Sequence, residues 1–159
     1  MKTFWLRKTI WLPQSRAKVF EFFANPANLD KLTPPWLKFS IVTPPTIEIR
    51  QGTRLDYRLR LRGLPIHWQS VIAVWEPPNR FVDRQTRGPY TRWVHEHSFT
   101  ARDGGTVVGD AVEYAVPGGA IVQKLFVAPD LERIFDYRHE LLKKLFLPQK
   151  SDATMHAGA

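Results

Sequence analysis

The chain has 159 residues, of which 43% are hydrophobic and 24% are charged, and it contains no cysteine. These values are ordinary for a single globular domain with a substantial core, and they exclude a disulfide framework and thiolate chemistry. The formal net charge is +8, but the basic residues are spread over several predicted strands. We therefore expect a solvated cationic face and no specific nucleic-acid binding.

The N-terminal part predicts a strand over residues 3–12, followed by two short helices. Ser15 is a suitable N-cap for the first helix, and Asn25-Pro26 breaks it before a second short helix over residues 27–32. Basic residues interrupt the first strand, and no window of the chain is long and apolar enough to cross a bilayer. We therefore expect no signal peptide, no transmembrane segment and a cytoplasmic location.

Six further strands are predicted in the middle of the chain, separated by turns rich in proline and glycine. They cover residues 36–42, 53–62, 66–75, 81–86, 90–101 and 106–116. Alternation is cleanest over residues 53–62, where three leucines and Tyr57 face one way and arginines face the other. Asp103-Gly104-Gly105 is a hairpin signal between the last two strands.

The C-terminal part predicts one long helix from Gly118 to Phe146. Its apolar residues recur at spacings of three and four, so they share one face that another element must cover. Pro129 lacks a backbone donor, which predicts a kink or a restart of the helix. Residues 148–159 are small and polar and predict a flexible tail, leaving residues 1–147 as one domain. Strands clustered in sequence with helices at the ends indicate an α+β fold.

The order of elements and several local motifs resemble the SRPBCC superfamily, the START/Bet v 1-like helix-grip proteins. The similarity is to the bacterial branch of ligand-binding or polyketide cyclase/dehydrase-like members. The motifs that carry it are Leu32-Thr33-Pro34-Pro35-Trp36, Trp75-Glu76-Pro77-Pro78, Phe81-Val82-Asp83, Gly88-Pro89-Tyr90, His95-x-His97-x-Phe99 and Ile134-Phe135-Asp136-Tyr137-Arg138. The match extends over nearly the whole chain up to Phe146.

The resemblance implies a curved antiparallel sheet of about six to seven strands wrapped around the long C-terminal helix. Two short helices after the first strand would close one end of an internal cavity. Members of this superfamily bind or transform many different hydrophobic ligands. The expected partner is therefore a small hydrophobic or amphipathic molecule of the lipid, polyketide or isoprenoid type.

Strand parity and helix periodicity select the side chains expected to line this cavity. If the leucine face of residues 53–62 points inward, the matching faces of the other strands and the apolar face of the helix line it too. These candidate ligand-binding residues are Tyr57, Leu59, Trp68, Ser70, Phe81, Asp83, Gln85, Trp93, His95, His97, Phe99, Asp110, Tyr114, Ile134 and Arg138. Tyr137 and His139 are expected to face outward.

The His95-x-His97 pair is the sharpest local signal, because strand alternation places both imidazoles on one face. With Asp83 or Asp110 the pair fits three interpretations, which are a metal site, general acid/base catalysis, and hydrogen bonding to a bound oxygen. The glutamate of the cupin pattern is missing after His97. With no complete metal motif we predict no metal and no cofactor. Arg138 is expected to pair with one of the carboxylates or with a ligand, or to snorkel at the edge of the apolar face.

The leading functional hypothesis is a binding protein for a small hydrophobic or amphipathic ligand. The alternative is a cyclase or dehydratase that uses His95 or His97 with Asp83 or Asp110 as acid and base. A third hypothesis is an interaction module whose cationic strand face meets an acidic partner or a membrane surface. The sequence does not indicate an oligomeric state.

Overall fold

The computed structural model describes residues 1–147, and the predicted tail over residues 148–159 lies outside the described residues. Seven antiparallel strands form one open sheet in the order β1-β7-β6-β5-β4-β3-β2. Their bounds are β1 (Phe4–Leu12), β2 (Ser40–Ile41), β3 (Arg54–Leu61), β4 (Leu64–Glu76), β5 (Arg80–Arg87), β6 (Arg92–Arg102) and β7 (Gly105–Ala115). Each sequential pair from β2 to β7 is adjacent, and β1 closes the order against β7.

Two short helices follow β1, as predicted: α1 (Arg16–Ala24) and α2 (Pro26–Leu32). The Ser15 hydroxyl accepts from the Lys18 backbone N–H at 3.4 Å and caps α1. The Asn25 side chain accepts from the Ala27 N–H at 3.0 Å and caps α2, whose first residue is a proline with no donor to lose. These polar caps fix where each helix begins.

The C-terminal helix is continuous from Gly119 but changes its winding. It consists of α3 (Gly119–Val122), a π-helical turn (Gln123–Val127) and α4 (Ala128–Phe146). Gly118 precedes it with φ of 83°, a conformation that favours glycine. Pro129 lies in the first turn of α4, where a backbone N–H would not be needed for the new α-helical register. The predicted restart at Pro129 therefore takes the form of a π-helical turn just before it.

The core lies between the inner face of the sheet and α4 and has two parts. One part packs α1 against the sheet and the end of α4, and it includes Phe20, Phe99 and Leu142. The other surrounds the beginning of α4, with Trp93 and Phe135 among its members. The cavity described below lies along the same inner face of the sheet.

One strand prediction was largely wrong. Residues 36–42 were predicted as a strand, but Pro35–Leu37 form a single 3-10 turn and only Ser40–Ile41 pair with β3. Lys38 has φ of 45°, which breaks the extended conformation between the two pieces. Phe39 nevertheless turns inward and contacts Tyr57.

The α+β helix-grip architecture is confirmed, because an antiparallel sheet grips a long C-terminal helix and two short helices follow the first strand. Among residues 1–147, the helices lack the combination of length and hydropathy that a membrane-spanning helix needs.

Candidate functional site

A cavity of about 190 Å³ lies between the inner face of the sheet and α4. Most of its wall is apolar and is supplied by β3 to β6, by α1 and α2, and by Leu131, Ile134 and Phe135 of α4. The polar side chains at its wall include Asp83, His95, His97, Arg138 and Ser70. The cavity therefore combines an apolar chamber with a small group of polar side chains, as ligand sites usually do.

Strand register brings the main polar group together. Asp83 on β5 lies opposite His95 on β6, and His97 on β6 lies opposite Asp110 on β7. The second pairing follows from the two-residue turn Asp103-Gly104, in which both residues have positive φ and which sets Arg102 opposite Gly105. The two histidines thus lie between two aspartates on the inner face of the sheet.

Each histidine faces both carboxylates, one with each ring nitrogen. His95 places Nε2 2.7 Å from Asp110 Oδ1 and Nδ1 3.7 Å from Asp83 Oδ2. His97 places Nε2 3.1 Å from Asp83 Oδ2 and Nδ1 3.5 Å from Asp110 Oδ1. The two imidazole centroids are 3.8 Å apart. We call Asp83, His95, His97 and Asp110 the Asp-His cluster.

The two carboxyl groups of the cluster stay ionised despite their burial. Burial acts to raise the pKa of Asp83, but the hydrogen bond from His97 and the charges of His95, His97 and Arg138 outweigh it and lower the pKa. Burial opposes ionisation of Asp110 too, but His139, His95 and Arg138 hold its pKa well below the ordinary value. Asp83 therefore presents a negative charge to the cavity.

His97 is held in its neutral form. Burial and the neighbouring His95 lower the pKa of His97 to about 4, against the opposing effect of Asp83 and Asp110. The ring packs against Phe81 with centroids 4.3 Å apart, and it is 6% exposed. At neutral pH His97 therefore carries one N–H and one lone pair, the form that can accept a proton or bind a metal ion.

Two residues of α4 approach Asp110 from the other side. Arg138, which is 8% exposed, places a terminal nitrogen 3.9 Å from Asp110 Oδ1. His139 Nε2 lies 3.7 Å from Asp110 Oδ2, beyond hydrogen-bond distance. Within residues 1–147, Arg138 Nε and His139 Nε2 are buried without a hydrogen-bond partner. His139 was expected to face outward, and that expectation was wrong.

A second polar group lies on β3 and β4. Ser70 Oγ accepts a hydrogen bond from Trp68 Nε1 at 3.0 Å and lies 3.1 Å from the Tyr57 hydroxyl. Burial raises the pKa of Tyr57 far above its ordinary value, so its hydroxyl stays protonated. The polar atoms of these three side chains are therefore hydrogen-bonded to one another at the cavity wall.

The structure places most of the predicted ligand-binding residues at the cavity wall. These are Tyr57, Leu59, Trp68, Ser70, Phe81, Asp83, Trp93, His95, His97, Ile134 and Arg138.

The other four predicted residues lie elsewhere. Gln85 hydrogen-bonds both backbone groups of Tyr90 and holds the turn before β6. Phe99 packs in the core against Phe20, and Asp110 lies behind the histidines. Tyr114 accepts a hydrogen bond from Gln123 at 3.0 Å, so it joins β7 to the π-helical turn.

Sequence reasoning missed the part of the wall that comes from α1, from α2 and from Trp75 of β4. Phe22, Phe23 and Leu29 line the cavity, as does Trp75. Trp75 has the opposite strand parity to Trp68 and Ser70, which were predicted to face the cavity, but the register shift between Ile72 and Val74 turns Trp75 inward too. For the residues of α1 and α2, the resemblance to the superfamily was the available signal, because it implies that these helices close one end of the cavity.

Comparison with known proteins shows what the fold is similar to. No family model matches the chain, and no curated protein is similar to it in sequence. Solved structures are similar at low identity. The protein TTHA0849 from Thermus thermophilus is 18% identical over 92% of this chain and 99% of its own, with a TM-score of 0.70. The ginseng major latex-like protein 151 from Panax ginseng is 11% identical over 92% of this chain and 99% of its own, with a TM-score of 0.68.

A third similar structure is the di-domain ARO/CYC StfQ from the steffimycin biosynthetic pathway. It is 13% identical over 91% of this chain and 50% of its own, with a TM-score of 0.72. At these identities the likeness shows a shared fold, and it agrees with the helix-grip topology described above.

Proposed function

We propose that this chain, which has the helix-grip fold of the SRPBCC superfamily, binds a small, largely apolar molecule that carries oxygen-bearing groups. The observation that carries the proposal is the cavity of about 190 Å³, whose apolar wall is interrupted by the Asp-His cluster and Arg138. The proposed binding domain is residues 1–147.

Cavity size limits the ligand. A single water takes up about 10–15 Å³ of such space, so the cavity has room for roughly a dozen waters or for a ligand core with a similar number of non-hydrogen atoms. A two-ring aromatic molecule or a short isoprenoid fits this limit. A longer lipid tail would exceed this volume.

Polar atoms at the wall specify the chemistry of one end of the ligand. Arg138 has a buried Nε that lacks a partner within residues 1–147, and a ligand carbonyl or hydroxyl oxygen would supply the missing acceptor. Asp83 is ionised and accepts hydrogen bonds, so it favours a ligand hydroxyl. Together they favour a hydroxy-carbonyl compound or a phenol over a plain hydrocarbon.

One of the structural neighbours supports the same class of ligand. StfQ is described as an ARO/CYC from a biosynthetic pathway, and the shared fold makes an aromatic polyketide one candidate class for this chain. Lipids and isoprenoids with an oxygen-bearing end are the other two classes that the cavity favours.

The first experiment identifies what co-purifies with the protein. Native mass spectrometry of the tag-free chain, followed by solvent extraction, should reveal an apolar molecule with oxygen functions at up to one per chain. A direct test titrates 2-naphthol and naphthalene, with tryptophan fluorescence as the readout because Trp68 and Trp93 line the cavity. We expect 2-naphthol to bind about tenfold more tightly, since one hydrogen bond to a charged group adds about 1.5 kcal/mol. Binding of neither compound, with nothing co-purifying, would contradict the proposal.

A second candidate function is acid/base catalysis on the bound molecule. The specific observation in its favour is that His97 Nε2 lies 3.1 Å from Asp83 Oδ2 and that both side chains line the cavity. A histidine next to a carboxylate and to open cavity space is the geometry that proton transfer in a cyclase or dehydratase needs. For this candidate, His95→Gln and His97→Gln should lose turnover of the identified ligand and retain its binding.

A further inference from the structure

Asp83, His95 and His97 form a tripod of donor atoms at the cavity wall. One ligand atom of each lies within 4.8 Å of the other two. Asp83 Oδ2 is 3.1 Å from His97 Nε2 and 3.7 Å from His95 Nδ1. Around an ion with metal–ligand bonds of about 2.0–2.2 Å, neighbouring donor atoms are separated by roughly 3.0–3.5 Å. We propose that these three side chains bind one divalent first-row transition-metal ion.

Hydrogen-bond counting supports a cation at this position. Four imidazole nitrogens of His95 and His97 face carboxylate oxygens at 2.7 to 3.7 Å. A neutral imidazole carries one N–H group, so each of these histidines that is neutral turns one nitrogen lone pair toward a carboxylate. A metal ion bound by the tripod resolves this conflict, because both lone pairs and the Asp83 carboxylate then point at a positive charge.

Asp110 supplies the outer support that metal-binding histidines normally have. A metal-bound imidazole usually donates its other N–H to a carboxylate, which fixes the tautomer and the ring orientation. Asp110 Oδ1 lies 2.7 Å from His95 Nε2 and 3.5 Å from His97 Nδ1, on the side of both rings away from the tripod. Of the two nitrogens that face Asp110, His95 Nε2 is hydrogen-bonded, and His97 Nδ1 has no hydrogen-bond partner within residues 1–147. In the proposed metal-bound state both of these nitrogens carry the N–H, and the lone pairs of His95 Nδ1 and His97 Nε2 face the ion.

The tripod leaves coordination positions free toward the cavity. Asp83, His95 and His97 line the cavity, whereas Asp110 lies behind them. The carboxylates of Asp83 and Asp110 both face the histidines, and the guanidinium of Arg138 lies 3.9 Å from Asp110 Oδ1. An oxygen of water or of a cavity ligand would complete the coordination, as in open metal sites.

The donor set selects the kind of ion. Two imidazole nitrogens and one carboxylate oxygen suit Zn²⁺, Fe²⁺, Co²⁺ or Mn²⁺ better than Mg²⁺ or Ca²⁺, which prefer all-oxygen sites. The proposal departs from the sequence-based expectation of no metal. It goes beyond the proposed function, since the ion binds the protein's own side chains and needs no organic ligand.

The test uses the tag-free full chain and the metal alone. After treatment with EDTA, the protein is dialysed against Zn²⁺ or Co²⁺, and bound metal is counted by elemental mass spectrometry. We expect one ion per chain and, with Co²⁺, visible absorption bands typical of nitrogen and oxygen ligands. Asp83→Asn should weaken binding at least about 100-fold, and Asp110→Asn about 10- to 100-fold, the range measured for outer-shell partners.

A matched control comes from a histidine–aspartate pair on the outer face of the sheet. His67 Nε2 lies 3.1 Å from Asp56 Oδ1, outside the cavity, so His67→Gln should retain the full metal content. Circular dichroism shows whether each variant is folded. If Asp83→Asn fails to fold, the Co²⁺ absorption spectrum of the wild-type protein still shows whether nitrogen and oxygen ligands bind the ion. Wild-type protein without a stoichiometric ion, or equal loss in His67→Gln and Asp83→Asn, would overturn the proposal.

Discussion

Asp110 Oδ1 lies 2.7 Å from His95 Nε2, and both side chains are almost fully buried. Asp110 also faces His97, Arg138 and His139, so one carboxylate contacts groups from β6 and α4. This makes Asp110 the anchor of the Asp-His cluster, although it does not reach the cavity. Its role is to orient the imidazoles that do.

Asp110→Asn should destabilise the protein by about 1–3 kcal/mol. The change removes a charge that Arg138 and His95 face in a buried setting, and breaking such contacts leaves polar groups unsatisfied. Urea unfolding followed by tryptophan fluorescence measures the effect. Asp56→Asn, on the outer face of β3, is the matched control and should change stability by less than about 0.5 kcal/mol. If Asp110→Asn and Asp56→Asn change the free energy of unfolding equally, Asp110 does not anchor the Asp-His cluster.

Ser70→Ala should cost about 1–3 kcal/mol of stability. The change leaves Trp68 Nε1 and the Tyr57 hydroxyl without their common partner at the buried wall. In the Tyr57→Phe background the cost should be smaller, because one of the two orphaned groups is then already absent. A double-mutant cycle by thermal or urea unfolding gives the coupling energy, and a value near zero would show that the two hydroxyls do not interact.

Lys8→Met should cost no more than about 1 kcal/mol. Lys8 lies on β1 and contacts Glu132 and Asp136 of α4, and its pKa is raised by hydrogen bonds to Asp136 and Glu132. Both carboxylates are largely exposed, so solvent screens the pair. The difference between wild type and variant should shrink in 1 M NaCl. A difference that is unchanged by salt would assign the effect to packing of the Lys8 stem.

Stability of the metal-free protein should fall as the pH is lowered from about 6.5 to about 4. The pKa of His97 is lowered from 6.5 to about 4, so the unfolded chain binds a proton in this window that the folded chain does not. The shift corresponds to a loss of up to about 3 kcal/mol. The titratable and charged groups that face His97 are His95, Asp83, Asp110 and, through Asp110, Arg138.

Urea unfolding at several pH values measures this dependence. His97→Gln should remove most of the pH dependence of the unfolding free energy between pH 6.5 and 4. Asp83 and Asp110 have lowered pKa values, so their contributions are lost only below the ordinary carboxyl value near 3.8, as the pH falls from that value through the lowered pKa of the folded protein. An unchanged slope in His97→Gln would show that another group titrates.

Local patterns predicted the sheet and the helix, because burial on one face leaves a clear period in the sequence. The alternation over β3 and the spacing of Leu131, Phe135 and Leu142 on α4 are examples. The failures occur where the period breaks. Lys38 has a positive φ, so the predicted strand over residues 36–42 is reduced to the short β2 that begins at Ser40. The register shift on β4 reversed the parity of Trp75.

The candidate site was predicted in part. The alternation of side chains along a strand tells which face of the sheet a residue lies on, but the pairing register between strands decides which residues are neighbours. The two-residue turn Asp103-Gly104 contains enough information to place His97 opposite Asp110. His139 was missed although it follows Phe135 by four residues, a spacing that puts it on the same side of α4. Whether a polar residue lines a cavity or lies behind its wall depends on packing, which no local pattern contains.

The most direct test of ligand binding in the cavity is a 2-naphthol titration of two variants that receive the same side chain. Ile134 lines the cavity, whereas Ile121 on α3 is 73% exposed and lies outside it. Ile134→Trp should fill the chamber and weaken 2-naphthol binding at least about tenfold, a change of about 1.4 kcal/mol, while Ile121→Trp leaves it unchanged. Equal affinity of both variants and the wild type would contradict binding in this cavity.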